Sequence, residues 1–173
     1  MLETYPPDGT QNTNMKFVDE QQIDKAAEEL EASPESYESA VEAMREEQPI
    51  LLAYNFSESF QAFTEEEQQY FLYLSLVIWK AVNATNGPVP QVDLTRLSEI
   101  EERNWNIIQS SKGKTFRSRL DPFFEGYDQE DLLAFAEDAL TQDEDEEEVV
   151  SREGQEALFV SLKTVIDALT QPS

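Results

Sequence analysis

Histidine and cysteine are both missing from this chain of 173 residues, and basic residues are scarce: 12 Lys and Arg stand against 37 Asp and Glu. Each absence removes some chemistry. Without His or Cys there is no Ser-His-Asp or Cys-His nucleophile, no disulfide, and none of the commonest side chains that ligate zinc. The Glu-x-x-His motif of helical di-iron proteins is excluded as well. Glycine occurs only 5 times, and no Gly-x-x-x-x-Gly-Lys phosphate loop is present. No cofactor and no metal site are expected, and the balance leans away from an enzyme. The first residues lack a basic region followed by an apolar one, so they do not read as a signal peptide. The longest apolar run, Tyr70 to Val82, is interrupted by Ser75 and Lys80 and is short for a membrane span. These features together lead to the expectation of a cytoplasmic protein that does not meet a membrane.

What is present is apolar enough to fold. Hydrophobic residues make up 39%, with 10 Phe and 6 Tyr, which suffices for a core despite a formal net charge of -25. That charge opposes direct contact with nucleic acid and favours a basic protein as partner. The scarce glycines and the prolines fall between apolar segments, a spacing that favours long helices.

The pattern predicts an all-α domain of seven to eight helices over residues 15–173, preceded by a polar tail at 1–14. The first helix runs from about Asp19 to Ala32 with Ile23, Ala26, Ala27 and Leu30 inward. Ser33-Pro34 caps and starts the second, which turns Tyr37, Ala40, Val41 and Met44 inward. A third helix spans Ile50 to Tyr54 and carries on through Phe56, Phe60 and Phe63. Thr64 and Glu67 form a capping box before a fourth, nearly all-apolar helix over about 65–84. After the break at Asn86-Gly87-Pro88-Val89-Pro90, a fifth helix from about Asp93 to Ser110 turns Leu94, Leu97, Ile100, Trp105 and Ile108 inward. A short segment from Thr115 to Phe124 follows. Asp128 is expected to cap the next helix, with Leu132, Phe135, Ala136 and Leu140 inside, and Ser151 the last, with Leu158, Leu162, Val165 and Leu169 as its stripe.

Two stretches resemble each other. Gln48-Pro-Ile-Leu51-Leu52-Ala53-Tyr54 aligns with Gln129-Glu-Asp-Leu132-Leu133-Ala134-Phe135, and Glu66-x-Gln68 with Glu153-x-Gln155. Ala81 aligns with Ala168, and Val18-Asp19 with Val92-Asp93. This suggests two pseudo-repeated four-helix halves, 15–86 and 91–171, in a helical bundle or short helical-repeat array. The alternative is that any two amphipathic helices share a period.

Carboxylates are the remaining source of chemistry. Asp143, Asp145 and Glu147 alternate like the start of a calcium loop, but Glu148 and Gly154 stand where the loop needs Gly and Glu. Paired glutamates followed by an acid three residues later would line facing helices with magnesium ligands. Glu28-Glu29, Glu46-Glu47 and Glu101-Glu102 all lack that third acid. Two acidic features remain as candidate partner-binding surfaces: Glu35, Glu38, Glu42 and Glu46 on one face of the second helix, and the run containing Asp143, Asp145 and Glu147. One basic island, Lys112, Lys114, Arg117 and Arg119, is a candidate anion site, or pairs with acids of the same chain. Trp79 and Trp105 read as core. Three functions are compatible with this inventory. The leading one is a non-catalytic protein-binding or regulatory module. The alternatives are an acidic nucleic-acid mimic that inhibits a basic protein, and a magnesium-dependent carboxylate-site hydrolase. A homodimer would follow if Tyr54, Phe56 and Phe60 were left uncovered.

Overall fold

A computed structural model describes residues 15–57, 60–141 and 150–171. Among these the chain is all-helical: α1 (Glu20–Glu31), α2 (Pro34–Glu47), α3 (Pro49–Tyr54), α4 (Glu65–Asn86), α5 (Leu94–Ser110), α6 (Phe116–Arg119), α7 (Asp121–Phe124), α8 (Glu130–Leu140) and α9 (Arg152–Thr170). Helices α4 and α9 pack on each other at the centre. Helix α1 lies against α4, α5 and α8 lie against α9, and α2 bridges α1 and α3. One continuous apolar cluster runs through all of them.

Helix starts follow from local chemistry. Asp19, Ser33, Asp93 and Ser151 each accept a hydrogen bond from a backbone amide of the following first turn, and Pro34 occupies the position where its missing N–H costs nothing. Thr64 and Glu67 form the reciprocal capping box. Glu67 does more than close its own helix. Its second carboxylate oxygen accepts from the backbone N–H of Ser151 at 2.8 Å and from the Ser151 hydroxyl at 3.0 Å, so one buried acid joins the starts of both central helices. Burial alone would raise this carboxyl, but the bonds from Thr64 and Ser151 outweigh it and hold it below its ordinary range. Gly154 leaves room for it, since a Cβ there would stand 2.6 Å from the Glu67 oxygen.

The long loops are tied by two glutamines in the same manner. Gln48 donates to the carbonyls of Val89 and Pro90 and accepts from the Val92 N–H at 2.9 Å, fixing the chain that enters α5. Gln129 donates to the Lys16 carbonyl at 3.0 Å and accepts from the Val18 N–H at 3.0 Å, fixing the chain that enters α1. Each glutamine is buried and stands immediately before a helix, α3 or α8.

Several expectations are corrected. The third helix stops at Tyr54: Asn55 and Ser57 turn their side chains back onto the carbonyls of Leu51 and Tyr54, competing with helix continuation. Phe60 still packs inward, in a ring cluster with Tyr54, Phe63 and Phe71 at centroid distances of 5.1, 5.3 and 4.6 Å, contacts of about 0.5–1.5 kcal/mol each beyond burial. Phe56 is 70% exposed. Leu94, expected inside, is 61% exposed, because it opens α5 ahead of the buried stripe that begins at Leu97. Asp128 caps nothing. Gln129 holds the N-cap position of α8, its side chain committed to the segment before α1. The segment expected between Thr115 and Phe124 is two single-turn helices, α6 and α7. Helix α9 has no wet side across its middle: every residue from Leu158 to Asp167 is buried.

Candidate functional site

Two polar constellations stand out, one inside the core and one on the surface. The inner one grows from α9. Lys163 and Asp167, one turn apart, are both buried, and their side chains meet at 2.7 Å. Asn104 of α5, on the inner stripe between Ile100 and Ile108, donates to the Asp167 carboxylate and to the Thr164 hydroxyl, each at 3.2 Å, and accepts from Lys163 at 3.3 Å. The Tyr127 hydroxyl donates to Asp167, and its ring lies 4.5 Å beneath the Lys163 ammonium. Arg103 approaches the same carboxylate from the surface, at 3.5 Å.

The chemistry of this cluster is that of a closed network. Burial pushes the Lys163 ammonium below its usual range, and Asp167 opposes that shift. Burial, then Asp167, pushes the Tyr127 phenol well up. An ammonium paired at 2.7 Å with a buried carboxylate is not a free nucleophile, and the hydrogen bonds leave its polar atoms engaged. Removing one partner of such a pair leaves an uncompensated charge and costs about 3–5 kcal/mol. The network fixes how α5, α9 and the α7–α8 connection fit together.

The outer constellation lies on α2. Glu35, Glu38, Glu42 and Glu46 are all exposed on one face, with the Glu42 carboxylate paired to Arg45. These acids line a shallow surface together with Ser39 and Ala43. Next to it, and sharing Glu35, Ser39 and Ala43 with it, an open groove of about 620 Å³ runs between α2 and the C-terminal half of α4. The groove exists because α2 presents small side chains, Ser36, Ser39, Ala40 and Ala43, toward α4. Its inner wall is Trp79, only 3% exposed, whose indole N–H has no acceptor among the described residues. Glu29, Glu35 and Glu47 line it against a single ammonium, that of Lys80, which lies 3.8 Å from Glu29.

The structure thus gathers four of the sequence-predicted acids, Glu35, Glu38, Glu42 and Glu46, on one surface. Asp143, Asp145 and Glu147 fall outside the described residues. The basic island is divided. Arg117 pairs with Glu137 at 2.9 Å and Asp138 at 3.3 Å. Arg119 binds Glu156 and also donates to the carbonyls of Ile108 and Ser111, which terminates α5. Lys112 and Lys114 are exposed. Among the described residues no group of three carboxylates is placed to hold a metal ion, and no helix is long and apolar enough to cross a membrane.

Sequence reasoning missed both the inner cluster and the groove. The cluster had a signal: opposite charges at Lys163 and Asp167, four residues apart, sit within an otherwise apolar run. The groove had none, because Ala40 and Ala43 look like ordinary core positions. No protein-family model matches the chain, and no curated protein or solved structure is significantly similar to it.

Proposed function

We propose that this protein is a non-catalytic binding module that docks a basic segment of another protein on the acid-rimmed groove between α2 and α4. One observation carries the reading. The exposed row Glu35, Glu38, Glu42 and Glu46 adjoins a groove that carries Glu29 and Glu47 as well, so shape and charge coincide. A cationic chain is drawn there by the net charge of -25 and finds, next to the acids, a recess with small apolar walls. The working setting is the cytoplasm, and the binding needs no cofactor and no self-association.

The acid row also favours a narrower version, an acidic decoy that occupies the nucleic-acid site of a basic protein. Its test is competition: DNA displaces the captured partner from a decoy and leaves the partner of a general docking module in place.

The test of the docking reading uses a lysine- and arginine-rich peptide, titrated by calorimetry at low and high salt. Binding at low salt should weaken at least tenfold at high salt, and should be lost in the Glu35→Lys/Glu38→Lys/Glu46→Lys variant. Equal binding by wild type and variant contradicts the proposal.

A further inference from the structure

The inner cluster on α9 brings an amine, an amide and a carboxylate into mutual contact away from water. The Lys163 Nζ lies 3.3 Å from Oδ1 of Asn104, which puts the amide carbon next within its reach. One oxygen of Asp167, Oδ2, touches both of the other groups: it accepts from Lys163 Nζ at 2.7 Å and from Asn104 Nδ2 at 3.2 Å. The Thr164 hydroxyl also accepts from Nδ2 at 3.2 Å and donates to the Val160 carbonyl at 2.7 Å, which holds the amide in place. All four side chains are buried, and the rings of Phe123 and Tyr127 lie 5.5 and 4.5 Å from the Lys163 nitrogen.

We propose that this network joins Lys163 to Asn104 by an isopeptide bond, a self-modification that needs no substrate from outside and ties α5 covalently to α9. The proposal is independent of the docking reading. The ion pair is the form before reaction, in which the ammonium has no lone pair to offer. Burial disfavours the charged forms and lowers Lys163, so passing one proton to Asp167 gives an amine and a carboxylic acid side by side. The Tyr127 hydroxyl, the Gln171 amide and Arg103 all contact Asp167 and favour its charged form, which makes that transfer uphill and the reaction slow. Fixed contact of the reacting groups works in the other direction. The amine lone pair forms a bond to the Asn104 side-chain carbon, and the bond from that carbon to Nδ2 breaks with its electron pair on nitrogen. Two of the three ammonium protons leave Lys163: Asp167 keeps one and delivers the other to Nδ2, which departs as ammonia. Nothing is oxidised or reduced. The product closes a loop from residue 104 to residue 163 and limits the unfolded chain as a disulfide does.

The experiment is mass spectrometry of the full chain, freshly purified and again after days at neutral pH, with tryptic mapping. The chain should become lighter by one ammonia. Cleavage after Lys163 should be lost, and a branched peptide should appear that joins residues 104–112 to residues 153–173. Asp167→Asn, which keeps the amine and the amide but removes the proton carrier, should retain the full mass. An unchanged wild-type mass with no branched peptide overturns the proposal. So does an ammonia loss that maps to Asn86-Gly87, where an asparagine can close on the following backbone amide, or a loss of water that maps to Lys163 and Asp167. A branched peptide formed equally fast in Asp167→Asn overturns the role given to the carboxylate.

Discussion

Helices α4 and α9 pack together in one core, but what surrounds them differs in kind. Through the middle of α4 the buried positions are mostly apolar, with Leu74, Leu76, Val77 and Ile78 around Ser75, and α1 adds Leu30. Through the middle of α9 the buried run includes Lys163, Thr164 and Asp167, and α5 contributes Asn104. Beside α4 an open groove runs along α2. The difference teaches that buried charge here serves fit: a hydrogen-bonded ion pair brings Asn104, Thr164 and Tyr127 together. Beside α4 the fit relies mainly on volume, and α2, with its small side chains, leaves the groove open.

The largest expected effect comes from breaking the polar side. Asp167→Ala strands the Lys163 ammonium and three donors, and should lower stability by about 3–5 kcal/mol in denaturant unfolding. Replacing the network by apolar side chains, with Lys163→Leu, Asn104→Leu and Asp167→Leu together, should recover most of the loss, because a paired charge and a well-packed hydrophobe are often of similar stability. A triple variant as unstable as Asp167→Ala would show that the network holds more than its charges.

Next come the joints between distant elements. Gly154→Ala drives a methyl into the Glu67 carboxylate and should cost roughly 1–3 kcal/mol. Gln48→Ala and Gln129→Ala each leave buried backbone groups unpaired, and should cost about 1–3 kcal/mol apiece. Their equivalence is the sharper expectation, since both make the same kind of bonds to the chain entering α5 and α1. Costs differing by more than twofold would show that the two joints are not equivalent.

Alkaline pH separates the two ends more gently. Burial, then Glu101, raises Tyr54, and burial, then Asp167, raises Tyr127. A phenol whose folded pKa lies above its unfolded value stabilises the protein fully below the unfolded value, about 10, and that stability is lost as pH rises beyond it. The melting temperature should therefore fall above about pH 10, and the fall should be shallower in Tyr127→Phe. An identical slope would contradict the role given to Tyr127. The smallest effect on stability, within about 0.5 kcal/mol, is expected from the exposed acids: Glu38→Lys should leave unfolding almost unchanged and alter only peptide binding.

Much of the fold was legible because it is local. Ser33-Pro34, Thr64 with Glu67, and Ser151 announce helix starts within a single turn, and the apolar period of the long helices gives their inner faces. What joins the elements was not legible. The partner of Gln48 lies 44 residues away and that of Gln129 lies 111 away, and neither residue type signals such a bond. The acid row on α2 could be read from spacing, but the groove beside it depends on how closely α2 approaches α4, which is set by side-chain volumes on two elements at once. Asn104 shows the limit from the other side. It sits at core spacing between Ile100 and Ile108, and only the assembled α9 reveals why a polar group belongs there.

The most direct test of the account is a chemical-shift map. The isotopically labelled protein is titrated with the lysine- and arginine-rich peptide, and backbone amide shifts are followed by NMR. The account predicts shifts concentrated on α2 from Glu35 to Glu47 and on α4 from Trp79 to Ala84. Shifts spread evenly over the acidic surface, or centred away from α2, would contradict it.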